Sequence, residues 1–96
     1  MIPVSGNPFV VHCKREVYDV YIGRPSKWGN QFVIGVDGTR EEVILLYKVW
    51  LNQWLHNRPD HLETLKTELR GKILGCWCAP LPCHGDVLAE IANSVV

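Results

Sequence analysis

The segment Lys72-Ile73-Leu74-Gly75-Cys76-Trp77 is a nearly unbroken apolar run, with Gly71 before it and a proline-containing loop, Cys78 to Pro82, after it. Such a run reads as a strand covered on both faces, the position that parallel sheets create. A helix follows, beginning around Cys83 or His84, with Val87, Leu88 and Ile91 turned inward. A strand, a short loop and a helix make one step of an α/β sheet, so the rest of the chain has to supply the neighbours that cover this strand.

Those neighbours are legible upstream. Phe9 to Cys13 is a short β-prone run, and Val17 to Ile22 is a second, interrupted by Asp19, which suits an edge or one wet face. Phe32-Val33-Ile34 reads as a third, optional strand, and Val36-Asp37-Gly38 as a turn. Thr39 and Glu42 are spaced as a capping box and open a helix whose buried stripe is Val43, Leu46, Tyr47, Trp50, Trp54 and Leu55. That helix ends near His56-Asn57, because Arg58 precedes Pro59. Asp60 and Glu63 read as the box of a second helix, with Leu62, Leu65 and Leu69 as its stripe and Gly71 as its stop. His56 and His61, on either side of that junction, are expected in solvent, and Trp50 and Trp54 are expected to pack. The predicted order is β-β-(β)-α-α-β-α. The fold class is a small single-domain α/β structure over residues 1–96, with a mixed or parallel sheet and three helices.

Ninety-six residues leave room for one domain. Ten basic and ten acidic residues cancel, which argues against a protein that coats nucleic acid through bulk charge. The longest apolar run falls far short of a membrane span. Met1 to Asn7 lack the basic and apolar regions of a secretory leader, so a cytoplasmic location is expected. In that reducing setting the four cysteines read as thiols or metal ligands.

Chemistry is concentrated in two places. Gly75 to Asp86 holds three cysteines and a histidine at the carboxyl end of a strand and the amino end of a helix. Ligands of open α/β sheets sit outside the carboxyl ends of strands. The first turn of a helix attracts anions and lowers the pKa of a thiol placed there. Cys83 is therefore a candidate thiolate, with His84 and Asp86 as candidate proton-transfer groups. Zinc is the alternative cofactor: Cys76, Cys78 and Cys83 offer three ligands, and Cys13 or His84 the fourth. Simple burial of the cysteines as small hydrophobes competes with both readings. An i, i+2 pair on a strand lies about 7 Å apart, so chelation by Cys76 and Cys78 requires the strand to curl.

The second place is the loop Gly23 to Asn30. Arg24 and Lys27 offer cations for phosphate, Trp28 a face on which a base can stack, and Asn30 a paired donor and acceptor; Ser26 belongs to the same candidate ligand-binding set. The competing reading is a structured turn in which Trp28 covers the core and Asn30 takes a left-handed conformation. The loop lacks the spacing of a P-loop.

The run Ile22 to Phe32 and the strand-loop-helix Leu74 to Glu90 together resemble the domain of unknown function family 4326, with the likeness extending from about Phe9 to Asn93. Members read G-R-x-S-x-x-G-N-P-F, and Gln31 stands here in place of the proline. The resemblance implies a phage or bacterial protein, working in the host cytoplasm if phage-encoded, and brings no activity with it. The leading expectation is an α/β domain that binds, and can process, a nucleotide-like or other phosphate-bearing ligand between the Arg24–Asn30 loop and the Cys83-His84 helix start. A zinc-stapled adaptor for a host protein is second. Nucleic-acid binding through Lys14, Arg15, Arg24 and Lys27 is third, and no membrane partner is expected.

Overall fold

A computed structural model describes residues 8–79 and 81–94. The first seven residues, on which the leader expectation falls, and Pro80 of the loop after the last strand lie outside the described residues. The elements are β1 (Val10–His12), β2 (Val20–Tyr21), α1 (Arg40–Asn57), α2 (Pro59–Leu69), β3 (Leu74–Cys76) and α3 (His84–Ala92). The three strands form one parallel sheet in the order β1-β3-β2. The fold is thus small α/β as expected, with every strand pair parallel.

β3 is buried along its whole length, as its apolar run requires. Strand side chains alternate, so Leu74 and Cys76 share one face and Gly75 belongs to the other. Leu74 and Cys76 join the core cluster that includes Val87, Leu88 and Ala92 of α3. On the other side, β1 and β2 flank β3, so residues 13–19 must cross over it. Tyr18 of that crossing packs on Gly75, where a Cβ would fall 2.6 Å from the Tyr18 ring. Only glycine admits that approach. β2 is shorter than the run Val17–Ile22, because Asp19 ends the pairing: its carboxylate accepts the Ile73 N–H at 2.8 Å, and Val17 is in solvent. Phe32 to Ile34 forms no strand, only a bridge from Ile34 to Gly38 across the expected turn.

α1 begins with the capping box of Thr39 and Glu42, as the sequence indicates. Its buried row is Val43, Tyr47 and Leu51, with Trp50 and Trp54 half-buried beside it. Leu46 lies outside that row and is exposed. α2 departs from the expected box: Pro59 occupies its first turn, Arg58 is the N-cap without a side-chain bond, and Asp60 pairs with Arg58 at 3.3 Å. Proline is preorganised for that first position, which moves the start two residues earlier. His61 is half-buried rather than in solvent, stacked on Trp54 at 3.9 Å. Gly71, at φ +73, supplies the left-handed residue after the helix. α3 contacts β1 and β3 as well as α1 and α2, which explains why it is apolar round most of its circumference.

The position of Leu51 separates the two versions of the α1 stripe. Leu51→Ala should cost about 2–5 kcal/mol in urea unfolding, and Leu46→Ala less than about 1 kcal/mol. The reverse ranking would mean that α1 is rotated.

Candidate functional site

The loop after β2 and the start of α3 meet at the carboxyl ends of the strands. A cleft of about 270 Å³ opens between them, lined among others by Arg24, Asn30, Arg40, Trp77, Cys83 and His84. Both sequence signatures therefore contribute to one cavity. Its position follows from the topology: β2 and β3 run side by side, so the segments that leave their ends are neighbours.

Three long-range hydrogen bonds hold the walls together. The His84 ring reaches back to the Ile22 carbonyl through Nε2 at 2.7 Å. A carbonyl only accepts, so Nε2 carries the proton. In the neutral ring Nδ1 is then an acceptor, and it has no protein partner among the described residues. Burial is the main force that lowers the pKa of His84 from the usual value; the bond to Ile22 pulls the other way, and the charge of Arg24 adds to the lowering. The Tyr47 hydroxyl donates to the Trp28 carbonyl at 2.8 Å, and its ring meets the His84 ring edge-on at 5.0 Å. Burial raises the Tyr47 pKa, so the phenol stays neutral. Arg40 Nη1 donates to the Pro82 carbonyl at 3.2 Å, fastening the start of α1 to the segment that enters α3.

Not every residue of the two motifs faces the cleft. Arg24 does, and its carbonyl accepts from the Tyr21 hydroxyl at 2.9 Å. Asn30 lines the cleft too, but its amide is engaged locally: Nδ2 donates to the Val43 carbonyl and Oδ1 accepts from the Phe32 N–H. Asn30 holds the loop on α1 without a left-handed backbone, which corrects the turn geometry expected for it. Trp28 is buried, 5% exposed, with its ring edge-on to Trp54 at 6.0 Å, so it serves the core and not the cleft. Lys27 Nζ pairs with Glu68 at 2.7 Å and lies over the Trp28 ring, away from the cleft. Ser26 does not line the cleft, and its Oγ is buried without a hydrogen-bond partner among the described residues.

The sequence reading missed Arg40 and Trp77. Trp77 is 55% exposed and lines the cleft, where its indole N–H donates to the Tyr21 hydroxyl at 2.7 Å. Strand alternation was the available signal for it, because a residue that follows buried Cys76 points to the opposite face. Nothing in the sequence marks Arg40, whose role depends on where α1 docks.

Cys76 ends β3 and Cys83 is the N-cap of α3, and their sulfurs lie 3.1 Å apart. Each also accepts a backbone N–H, Cys76 from Ala79 and Cys83 from Gly85. The hydrogen bond shared by the two sulfurs, helped by the Ala79 N–H, lowers the Cys76 pKa from the usual thiol value against the opposing effect of burial. The same bond, with burial, pushes the Cys83 thiol above its usual range. The pair shares its protons, so ionisation belongs to Cys76 and Cys83 together and not to Cys83 alone. Asp86 accepts the Cys83 N–H at 3.1 Å and so completes a capping box instead of facing the cleft. Cys13 directly follows β1, with its N–H on the Cys76 carbonyl at 2.9 Å. Yet no three His, Cys, Asp or Glu side chains among the described residues come together as a metal site. Cys76 is turned into the core toward Cys83, so Cys13, Cys76, Cys78 and Cys83 do not converge as the zinc reading requires.

A neutral, buried His84 gives a signed pH dependence. Its folded pKa lies below the ordinary 6.5, so the unfolded chain takes up the proton more readily. The contribution of His84 to stability is complete above pH 6.5 and is lost as pH falls below it toward the folded value. Urea unfolding should show stability declining as pH falls below 6.5, with the decline shallower in His84→Gln. An identical slope in the variant would contradict a buried neutral ring.

Comparison with known proteins adds the lineage. The pattern of the family described as Domain of unknown function (DUF4326) matches residues 11–94. The protein titled "Uncharacterized 12.4 kDa protein in nrdA-td intergenic region" of Enterobacteria phage T4 is 41% identical over 88 residues, covering 88% of this chain and 76% of that protein. The "Uncharacterized protein R718" of Acanthamoeba polyphaga mimivirus is 31% identical over 105 residues, covering 88% of this chain and 71% of its own. The lineage thus reaches beyond the phage and bacterial proteins that the resemblance implied. No solved structure matches the chain. Among the described residues no helix is long and apolar enough to cross a membrane. On the match over residues 11–94 and the identity to the phage protein, the chain belongs to the Domain of unknown function (DUF4326) family.

Proposed function

We propose that the protein binds a small phosphate-bearing ligand of nucleotide-like character in the cleft between the Arg24 loop and the start of α3. One observation carries the reading: two arginines from distant parts of the chain, Arg24 and Arg40, border the same cavity as Trp77 and His84. Arginine matches phosphate through paired, charge-assisted hydrogen bonds. Trp77 takes the stacking role first assigned to Trp28, since it is the exposed indole at the cleft.

The size of the cavity favours a compact ligand. About 270 Å³ is just below the usual span of small-molecule sites, roughly 300 to 1,000 Å³, and suits a mononucleotide or sugar phosphate better than a dinucleotide. The amides at the start of α3 contribute less than a free helix terminus would, because Cys83 and Asp86 already accept two of them. Arg24 and Arg40 are therefore the principal anion-binding groups. His84 offers Nδ1 to a ligand hydroxyl, and it is the cleft residue best suited to accept a proton if the ligand is processed. The reading assumes the reducing host cytoplasm, where Cys76 and Cys83 stay thiols.

Thermal denaturation with adenosine monophosphate, ribose 5-phosphate and inorganic phosphate tests this. A ligand present at ten times its Kd stabilises by about 1.4 kcal/mol, a rise in Tm of about 6–11 °C for a domain of this size. Arg24→Ala should abolish the rise, and Lys27→Ala, away from the cleft, should retain it. No shift with any of the three at millimolar concentration, or an equal shift in Arg24→Ala, would refute the reading.

A further inference from the structure

We propose that Cys76 and Cys83 form a peroxide-sensitive dithiol at the base of the cleft, closing reversibly to a disulfide. This inference is independent of the ligand reading and rests on the placement of two sulfurs. They come from different elements, the last residue of β3 and the N-cap of α3, only seven positions apart in sequence. Their separation of 3.1 Å needs to shorten by about 1 Å to reach bonding distance. Among the described residues, Cys13 and Cys78 are half-buried and make no such contact with another sulfur.

The surroundings assign the two sulfurs different roles. Cys76 accepts from the Ala79 N–H and shares a hydrogen bond with the Cys83 sulfur, an arrangement that lowers its pKa and suits it to be the attacking group. Cys83 remains protonated and serves as the resolving group. Both are almost fully buried, at 1% and 2% exposure, yet both border the cleft, which limits reaction to a small oxidant that can enter it. Hydrogen peroxide meets that description. The Cys76 thiolate attacks one peroxide oxygen and the O–O bond breaks. Cys76 becomes a sulfenic acid, and the departing hydroxide takes up a proton to give water. The Cys83 sulfur then attacks the Cys76 sulfur, the S–O bond breaks, and the Cys83 proton leaves with the hydroxyl as a second water. Two thiols lose two electrons and one peroxide gains them.

Closure also reaches the fold. Bond formation draws the N-cap of α3 toward β3 and alters both sulfurs that accept the Ala79 and Gly85 amides. The dithiol therefore couples oxidation to the geometry of the cleft.

The test is titration with hydrogen peroxide without added ligand, then alkylation of the denatured chain and peptide mapping. Of the four thiols in the chain, two should remain, with Cys76 and Cys83 in one linked peptide and full recovery after dithiothreitol. The Cys13→Ser/Cys78→Ser double variant should form the same link, reacting about tenfold faster than an ordinary thiol at pH 7. Cys83→Ser should leave Cys76 to oxidise irreversibly. If that variant does not fold, the maps of the natural chain and the double variant decide. A link through Cys13 or Cys78, or retention of all four thiols, would overturn the proposal.

Discussion

The pairing of Leu74–Cys76 with a parallel neighbour on each side is the constraint from which the rest of the structure follows. A strand of three residues contributes few hydrogen bonds of its own, so it persists only if both faces are covered. Alternation then divides the work: Leu74 and Cys76 turn toward α3, and Gly75 leaves space for Tyr18 on the crossing between β1 and β2. Because all three strands point the same way, the segments that leave them emerge at one end of the sheet. The cleft is the consequence of that shared direction, and its chemistry comes from what those segments carry.

Within the cleft, rigidity comes from polar groups that are satisfied across long stretches of sequence. His84 to Ile22, Tyr47 to Trp28 and Arg40 to Pro82 each join a side chain to a distant backbone carbonyl. For the two buried bonds, from His84 and Tyr47, removing one partner leaves the other unsatisfied, a penalty of about 1–3 kcal/mol that strengthens the preference for one arrangement. The same bonds set chemical character. His84 is held neutral with a defined tautomer, Tyr47 is kept from ionising, and Arg40 and Arg24 both line the cavity.

Much of this frame can be read from the residues. Thr39 with Glu42, Gly71 after α2, and the strand-to-helix step at Cys76–His84 are local signals, and each element begins or ends where its local chemistry dictates. The meeting of the Arg24 loop with the thiol-rich corner was also foreseeable from the rule that sheet ligands gather at strand ends. Facing was not. Trp28 and Lys27 have the residue types of a ligand loop, but docking against α1 and α2 brings in Trp54 and Glu68, which claim both side chains. Leu46 and Leu51 each fit a helical stripe, and only the packed neighbours decide between them. Phe32 to Ile34 has strand-forming residues, yet it closes locally through the bridge from Ile34 to Gly38 and does not join the outer edge of β1 or β2. Asp60 fits a cap, and Pro59 overrides it through its fixed φ.

The topology itself can be measured directly from nitrogen–carbon scalar couplings transmitted through hydrogen bonds in solution. The account predicts a coupling from the Ile22 amide to the Gly75 carbonyl and another from the Cys13 amide to the Cys76 carbonyl, one on each side of β3. Couplings that instead join Val10–His12 directly to Val20–Tyr21, or that follow an antiparallel pattern, would contradict it and remove the basis for a single cleft.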